Sequence, residues 1–297
     1  MEGKGFSNMN LMTKTLGRTL SSNGSKSLLL LAPSAHSGMF GSPAITRFGD
    51  WNHERLLSKM QRFRGATYLK DGAITEASLD SEGRHRLDTD YHSWHVLMMS
   101  PHGEVWGCSR YSSYRIAEGF ENLAVGRSAL AQSDQWGPKL RAAVERERRN
   151  ALREGCNFVE VGGWAIAENL RGTTEAIRIA LATFALGHCL GGCIGLTTAT
   201  ARHSSATLLR RIGGRPLSVD NTELPKYFDP EYECEMEILR FDSAAPTPKF
   251  APWVDQLKMD MASVPVIAAQ PSAWGIPRTE TAEAPDFGTG LQLAYNW

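Results

Sequence analysis

Residues 159–187 read VEVGGWAIAENLRGTTEAIRIALATFALG. The first part, to Ala167, reads as a strand with two glycines inside it. A short polar turn, ENLRGTT, follows, and a long apolar helix begins after the turn. This junction leaves unpaired backbone N–H groups and the positive end of a helix dipole at Gly172, Thr173, Thr174 and Ala176, where an anionic group can sit. Arg171 adds a fixed positive charge, and Gly172 permits close approach. The plainer reading is a β–α turn with Thr173 or Thr174 as the helix cap. No GKS or GKT follows the loop and no GxGxxG precedes it, so neither a nucleoside-triphosphate loop nor a dinucleotide fingerprint is present. Gly162 and Gly163 inside the strand mark either a bulge, which would free N–H groups beside the loop, or a twist that makes room for a neighbour.

Outward from this unit the chain alternates. Upstream, HERLLSKMQRFRGATYL has helical spacing, WHVLMM and EVWGCSRYS are strands joined by an SPHG turn, and GPKLRAAVERERRNALREG is a charged helix closing on Gly155. Downstream come the short strand GCIGLTTAT, the helix SSATLLRRIGG and the alternating strand CEMEILRF. The sum is an α/β layer fold, a central sheet flanked by helices. Residues 1–51, rich in Ser, Gly, Asn and Thr, read as a flexible leader. Residues 52–242 form the compact block, and 243–297 a Pro- and Ala-rich extension with a loose tail.

Composition narrows the class. The formal net charge is zero, which argues against a dedicated nucleic-acid binder. No apolar run approaches the ~20 residues of a membrane helix. The five cysteines are odd in number and contain no CxxC pair, which suits a reducing cytoplasm rather than a disulfide framework or a zinc site.

The stretch LDTDYHSWHVLMMSPHGEVWGCSRYS, residues 87–112, holds acids, histidines and an arginine. Read as an extended segment, it puts His92 and His95 on opposite faces, so no metal cluster is expected. Asp88 and Asp90 would share a face. They either solvate a turn or pair with arginines such as Arg64 and Arg110.

Taken in order, the strand, the RGTTEA loop, the apolar helix, GCIGLTTAT and RHSSATLLRRIGGRPL resemble the GNAT acyltransferase superfamily. Arg171 and Ala176 fit the loop pattern of that superfamily, and Thr174 stands where glycine is usual. The upstream blocks RFRGATYLKDGAI, DTDYHSWHVLMMSPHGEVWGCSRY and VEVGGWAI resemble the acyl-homoserine lactone synthases and the long-chain N-acyl amino acid synthases. Arg64, Asp88, Asp90, Gly107, Arg110 and Glu160 fall in the matching places. The resemblance implies a GNAT fold and a cytoplasmic N-acyltransferase that moves a long-chain acyl group from an acyl-CoA or acyl-carrier-protein thioester to a small amine such as an amino acid. It implies no permanently bound cofactor.

In that frame Glu160 is the candidate general base. Backbone N–H groups of Ala165, Ile166 and Ala167 would polarise the thioester carbonyl. Arg64, Asp88, Asp90, His95 and Arg110 would shape the acceptor pocket. Arg210 stands where many such enzymes place a tyrosine, so either it stabilises the leaving thiolate or solvent protonates it. Two alternatives stand beside this reading: a lactone-forming synthase that uses S-adenosylmethionine, and a non-catalytic module that binds an acyl thioester. Gly162–Gly163 replaces the Ser–Arg usual in the lactone-forming enzymes.

Overall fold

A computed structural model describes residues 27–34, 52–114 and 118–269. Its helices are α1 (His53–Lys70), α2 (Gly137–Glu154), α3 (Thr174–Cys189), α4 (Ser205–Ile212) and α5 (Ala251–Met261). The long strands are β1 (Ser27–Leu31), β2 (Trp94–Met99), β3 (Val105–Tyr114), β4 (Asn157–Ile166) and β5 (Cys193–Thr200). Five shorter pieces and one long strand follow: β6 (Arg215–Pro216), β7 (Ser218–Val219), β8 (Thr222–Glu223), β9 (Tyr227–Asp229), β10 (Cys234–Asp242) and β11 (Val266–Ile267). Every helix and strand expected within 52–242 is present.

Local chemistry sets the ends of these elements. The Asn52 side chain caps α1 by accepting from the backbone of Glu54 and Arg55. Gly155 ends α2 in the left-handed region at φ 67°, which costs glycine nothing. The Thr173 side chain caps α3 by accepting from Glu175.

The main sheet is mixed and runs β11-β1-β2-β3-β4-β5-β10-β6, with β9 on the side of β10. Helices α1 and α2 cover one face. There α1 packs on Leu29, Leu97, Met99 and Cys108, and α2 on Phe158, Ile194, Leu196 and Ile238. Helices α3 and α5 cover the other face, over Leu30, Val96, Met98, Val159 and Phe241.

Three findings differ from the sequence reading. Ser27–Leu31 lies within the expected leader but is a sheet strand, and Leu28, Leu29, Leu30 and Leu31 are all buried. It pairs with β2 and, in parallel, with β11. The extension beyond residue 242 likewise contributes α5 and β11, with Val254, Leu257 and Val266 buried in the core. Docked between β2 and β11, the four consecutive leucines bury apolar area that the Ser- and Gly-rich composition around them does not reveal. The loose tail expected at 270–297 lies outside the described residues. Finally, Asp88–His92 is a 3-10 turn, not the extended start of a strand.

Two irregularities prepare the site. Strands β4 and β5 pair only from Asn157 to Glu160 and from Cys193 to Leu196, and then part. Between β3 and β4 the register slips: Cys108 faces Ala165, but Arg110 faces Gly162. The extra residue makes a bulge at Gly163, whose φ of 60° is left-handed.

Candidate active site

The parted ends of β4 and β5 open onto a cavity of about 570 Å³. It lies on the α1/α2 side of the sheet. Its walls come from the end of α1, the 85–89 and 124–128 loops, β4, β5 and the 227–236 segment. The lining is strongly mixed in charge: Arg64, Arg86, Arg110, Arg127 and Arg202 face Asp71, Asp88, Glu160, Asp229 and Glu231. A second, smaller cavity lies on the α3 side, and the two share Val161, Gly162, Trp164, Thr197 and Leu209 at the splay.

Glu160 sits on the wall of the large cavity, buried, on the last residue of β4 that pairs with β5. Its two carboxylate oxygens accept the backbone N–H groups of Ala124 and Val125, each at 2.8 Å. The Tyr114 hydroxyl also hydrogen-bonds it; burial first, and then the Glu160 charge, push that phenol upward. A carboxylate offers about four lone-pair sites, so one stays available for a proton.

Arg64 and Asp90 form the other centre. Both side chains are fully buried. Arg64 Nη1 and Nη2 donate to the two Asp90 oxygens at 2.9 and 2.7 Å, a bidentate pair. Gln61, the Leu87 N–H and Arg110 complete the shell at 3.0, 3.2 and 3.4 Å. Burial alone would raise the Asp90 carboxyl. The Arg64 hydrogen bonds and charge, with His95 and Arg110 behind them, outweigh it and hold the group well below the usual carboxylate range. Gly163 makes this packing possible. A Cβ on it would lie 3.3 Å from both Arg64 Nη1 and Arg110 Cβ.

The Asp–Arg network therefore forms on Asp90, Arg64 and Arg110. Asp88 lines the cavity but is not part of it, because a 3-10 turn has about three residues per turn and separates residues two apart. His95 does not line the cavity. It is buried beneath, with Nε2 2.8 Å from the Asp90 carbonyl, and burial pushes it down to about 4.

On β4, the Ala167 N–H is bonded to the Trp106 carbonyl at 2.8 Å, and Ala165 stands opposite Cys108 in the same pairing with β3. Both point toward β3 and away from the splay, which corrects their expected role. Strand alternation instead turns the backbone of Trp164 and Ile166 toward the side that β5 has vacated. Consistent with this, the Trp164 carbonyl accepts from the Tyr68 hydroxyl at 3.3 Å.

The loop before α3 is formed as expected, with Gly172 at φ 72° and nothing within 4 Å of a Cβ placed there. Thr173 caps the helix, Thr174 opens it and Ala176 is buried in its first turn. Arg171 is not a free charge. Its guanidinium is held bidentately by Asp71, at 2.8 and 2.7 Å, which ties the loop to the end of α1. Arg210 lies in neither cavity wall. It pairs with Glu237 on β10, with Nε 2.9 Å from Oε1. Thiolate stabilisation by Arg210 therefore finds no support in its position.

Several cavity residues were invisible to sequence reading. His85 lines the cavity, stacks obliquely on Tyr68 at 5.7 Å, and is pushed down to about 4 by burial and then by the Arg64 charge. Arg202 joins the Asp71 carbonyl to the Tyr232 carbonyl, at 2.8 and 3.0 Å. Arg127 comes from the 124–128 loop and Asp229 from the end of β9, neither with a local motif. The HRLD run next to the acidic cluster was the one sequence feature that could have drawn attention to His85. Among the described residues no group of three or more His, Cys, Asp or Glu is placed to hold a metal ion. No helix there is long and apolar enough to cross a membrane.

No family model matches the chain, and no curated protein matches it. Among solved structures it is similar to the CoA-dependent acyl-homoserine lactone synthase BjaI in complex with SAM and isopentyl-CoA. The identity is 13% and the TM-score 0.50, over 83% of this chain and 95% of that one. The same synthase with MTA overlays equally, at 12% identity and a TM-score of 0.50, over the same shares. The chain therefore shares the fold of this synthase, and its β4–β5 splay, its β4 bulge and the loop entering α3 agree with the GNAT fold that the sequence resemblance implies.

Proposed function

We propose that this protein is an N-acyltransferase that moves an acyl group from a CoA or carrier-protein thioester to the amine of an amino acid or a similar small molecule. The observation that carries the reading is the junction at the β4–β5 splay. An apolar cavity on one side of the sheet meets a polar cavity on the other there, and Glu160 lies on the polar wall. A thioester needs both environments at once, one for its acyl chain and one for the attacking amine.

In this reading the thioester carbonyl lies at the seam, beside the exposed backbone edge of Trp164 and Ile166. The amine occupies the polar cavity, its nitrogen attacks the carbonyl carbon, and Glu160 accepts the proton that nitrogen loses. The C–S bond breaks, and solvent protonates the thiolate. The open α3 N-terminus, with Gly172, Thr173, Thr174 and Ala176, would receive the phosphate-bearing arm of the donor. The Arg64–Asp90–Arg110 cluster would hold the acceptor wall rigid. The place of action is the cytoplasm, where such thioesters occur.

A second reading, a lactone-forming synthase, is favoured by the overlay on BjaI, whose complexes contain SAM and MTA. It would release methylthioadenosine. The test is mass spectrometry of lipid extracts from a bacterial host expressing the chain, beside a Glu160→Gln control. An N-acyl amino acid made only by the intact protein supports the proposal, and methylthioadenosine release turns it to the second reading. Removal of a general base is expected to cost about 10²–10⁴ in rate while sparing thioester binding. Full activity in Glu160→Gln would overturn the base assignment.

A further inference from the structure

His85 lines the large cavity, and α1 fixes it there from both sides of its backbone. Its N–H donates to the Gln61 carbonyl at 3.2 Å, and its carbonyl accepts from Arg64 Nη2. Gly65 makes the close approach possible. A Cβ there would lie 3.1 Å from the His85 nitrogen and 3.0 Å from the Gly83 carbonyl oxygen. The ring is held in turn by Tyr68, whose centroid is 5.7 Å away. The Tyr68 hydroxyl reaches the Trp164 carbonyl, at 3.3 Å, on the open edge of β4. One aromatic ring therefore separates His85 from the seam where β4 and β5 part.

The imidazole is fixed but unused. His85 is 7% exposed. Among the described residues, its Nδ1 is buried and bonds nothing, and its Nε2 has no protein partner either. That leaves Nε2 as the ring nitrogen that can face the cavity. A buried N–H without a partner is rarer than a bare acceptor, so the bonding assigns the lone pair to Nδ1 and the proton to Nε2. The wall thus carries an N–H donor that no protein group takes.

The charged and titratable groups around it set what it can meet. Arg64 and Tyr68 face it from α1, Arg110 from β3, and Arg86, Asp88 and Asp90 from its own segment. The guanidiniums of Arg64 and Arg110 share one carboxylate, that of Asp90, and Arg110 Nε has no hydrogen-bond partner. Burial, and then the Arg64 charge, keep the imidazole neutral. An unspent donor beside two cations that share one acid matches an anionic oxygen.

We infer that His85 binds a carboxylate on the acceptor, so that the protein selects amino acids over amines that lack an acid group. The inference rests on the acyl-transfer reading above.

The test has two arms. The first measures turnover of the proteinogenic amino acids with acyl-CoA and acyl-carrier-protein donors from acetyl to palmitoyl, and then compares the best acid with its decarboxylated amine. The acid should be preferred roughly 10–100-fold in kcat/KM, the worth of a hydrogen bond to a charged group. His85→Ala should raise KM for the acid by that factor and leave KM for the amine unchanged. His85→Gln, which keeps an N–H near the Nε2 position, should restore the preference, and it decides the matter if the alanine variant fails to fold. The second arm follows the His85 ring by NMR, its signal identified by its loss in His85→Gln. The acid should raise the ring's titration midpoint from about 4 by about one pH unit or more, and the decarboxylated amine should not. Equal use of acid and amine, an acid preference that survives His85→Ala, or a midpoint that the acid leaves in place would overturn the role of His85. Turnover of amines alone would keep the transfer reading and overturn His85. A midpoint raised by an amino acid with no acylated product from any donor would support the carboxylate site and overturn the transfer reading.

Discussion

Replacing Asp90 with alanine should be among the most damaging single changes in this protein, although residue 90 bonds no ligand in the proposed chemistry. The carboxylate is wholly buried and takes five donors: two from Arg64, and one each from Gln61, the Leu87 backbone and Arg110. Removing it leaves one guanidinium with no exposure and a second one nearly buried, without a counter-charge. Arg64 Nε already lacks a hydrogen-bond partner, and the His85 carbonyl that Nη2 also meets is neutral and cannot replace the lost counter-charge. Breaking a buried pair in this way costs about 3–5 kcal/mol. For a domain of this size each kcal/mol moves the melting temperature by about 2–4 °C, so the expected drop is roughly 6–20 °C. Urea denaturation and calorimetry would measure it. The double variant Arg64→Met, Asp90→Leu removes both charges of the pair and should recover at least half of the loss, because apolar replacement of a buried pair is often close to neutral. A loss below about 1 kcal/mol for Asp90→Ala would show that Arg64 is not desolvated, and would refute the reasoning.

Two further outcomes follow from the same neighbourhood. His85 and His95 are each held down to about 4 by burial, against an ordinary value of 6.5. Below pH 6.5 the unfolded chain binds protons that the native rings refuse, so stability should fall as the pH drops from 6.5 toward 4 and should not change through these groups above 6.5. The depressed Asp90 carboxyl adds a further loss only below its ordinary range near 4. Urea midpoints between pH 7.5 and 4.5 would show the slope, and a flat profile would contradict it. Separately, Gly163→Ala should cost more than Gly162→Ala. Residue 163 is left-handed, a conformation worth about 1–2 kcal/mol against an L-residue, and its Cβ would press on Arg64 and Arg110. At Gly162 a Cβ meets only Arg110 Nη2, at 3.4 Å. Equal melting temperatures for the two variants would remove the bulge from the argument.

The sequence by itself determined the order of elements in the main block, because helical and strand periodicities are local and each element carries its own. It also offered Gly162–Gly163 as a bulge or a twist, and Asp88 and Asp90 as a solvated turn or as partners of Arg64 and Arg110; the structure selects the bulge and the Asp90 network. Tertiary structure alone decided the rest. Arg171 looked like a free charge on a loop until α1 delivered Asp71 to it from 100 residues away. Arg210 sat at the expected sequence position, but the packing of α4 turned it to Glu237. Ala165 and Ala167 carried the right N–H groups, but strand pairing directed them to β3. Leu28–Leu31 became a strand only because β2 and β11 lay on either side of it. In each case the local sequence specifies which groups a residue offers. Which partner takes them depends on elements distant in the chain.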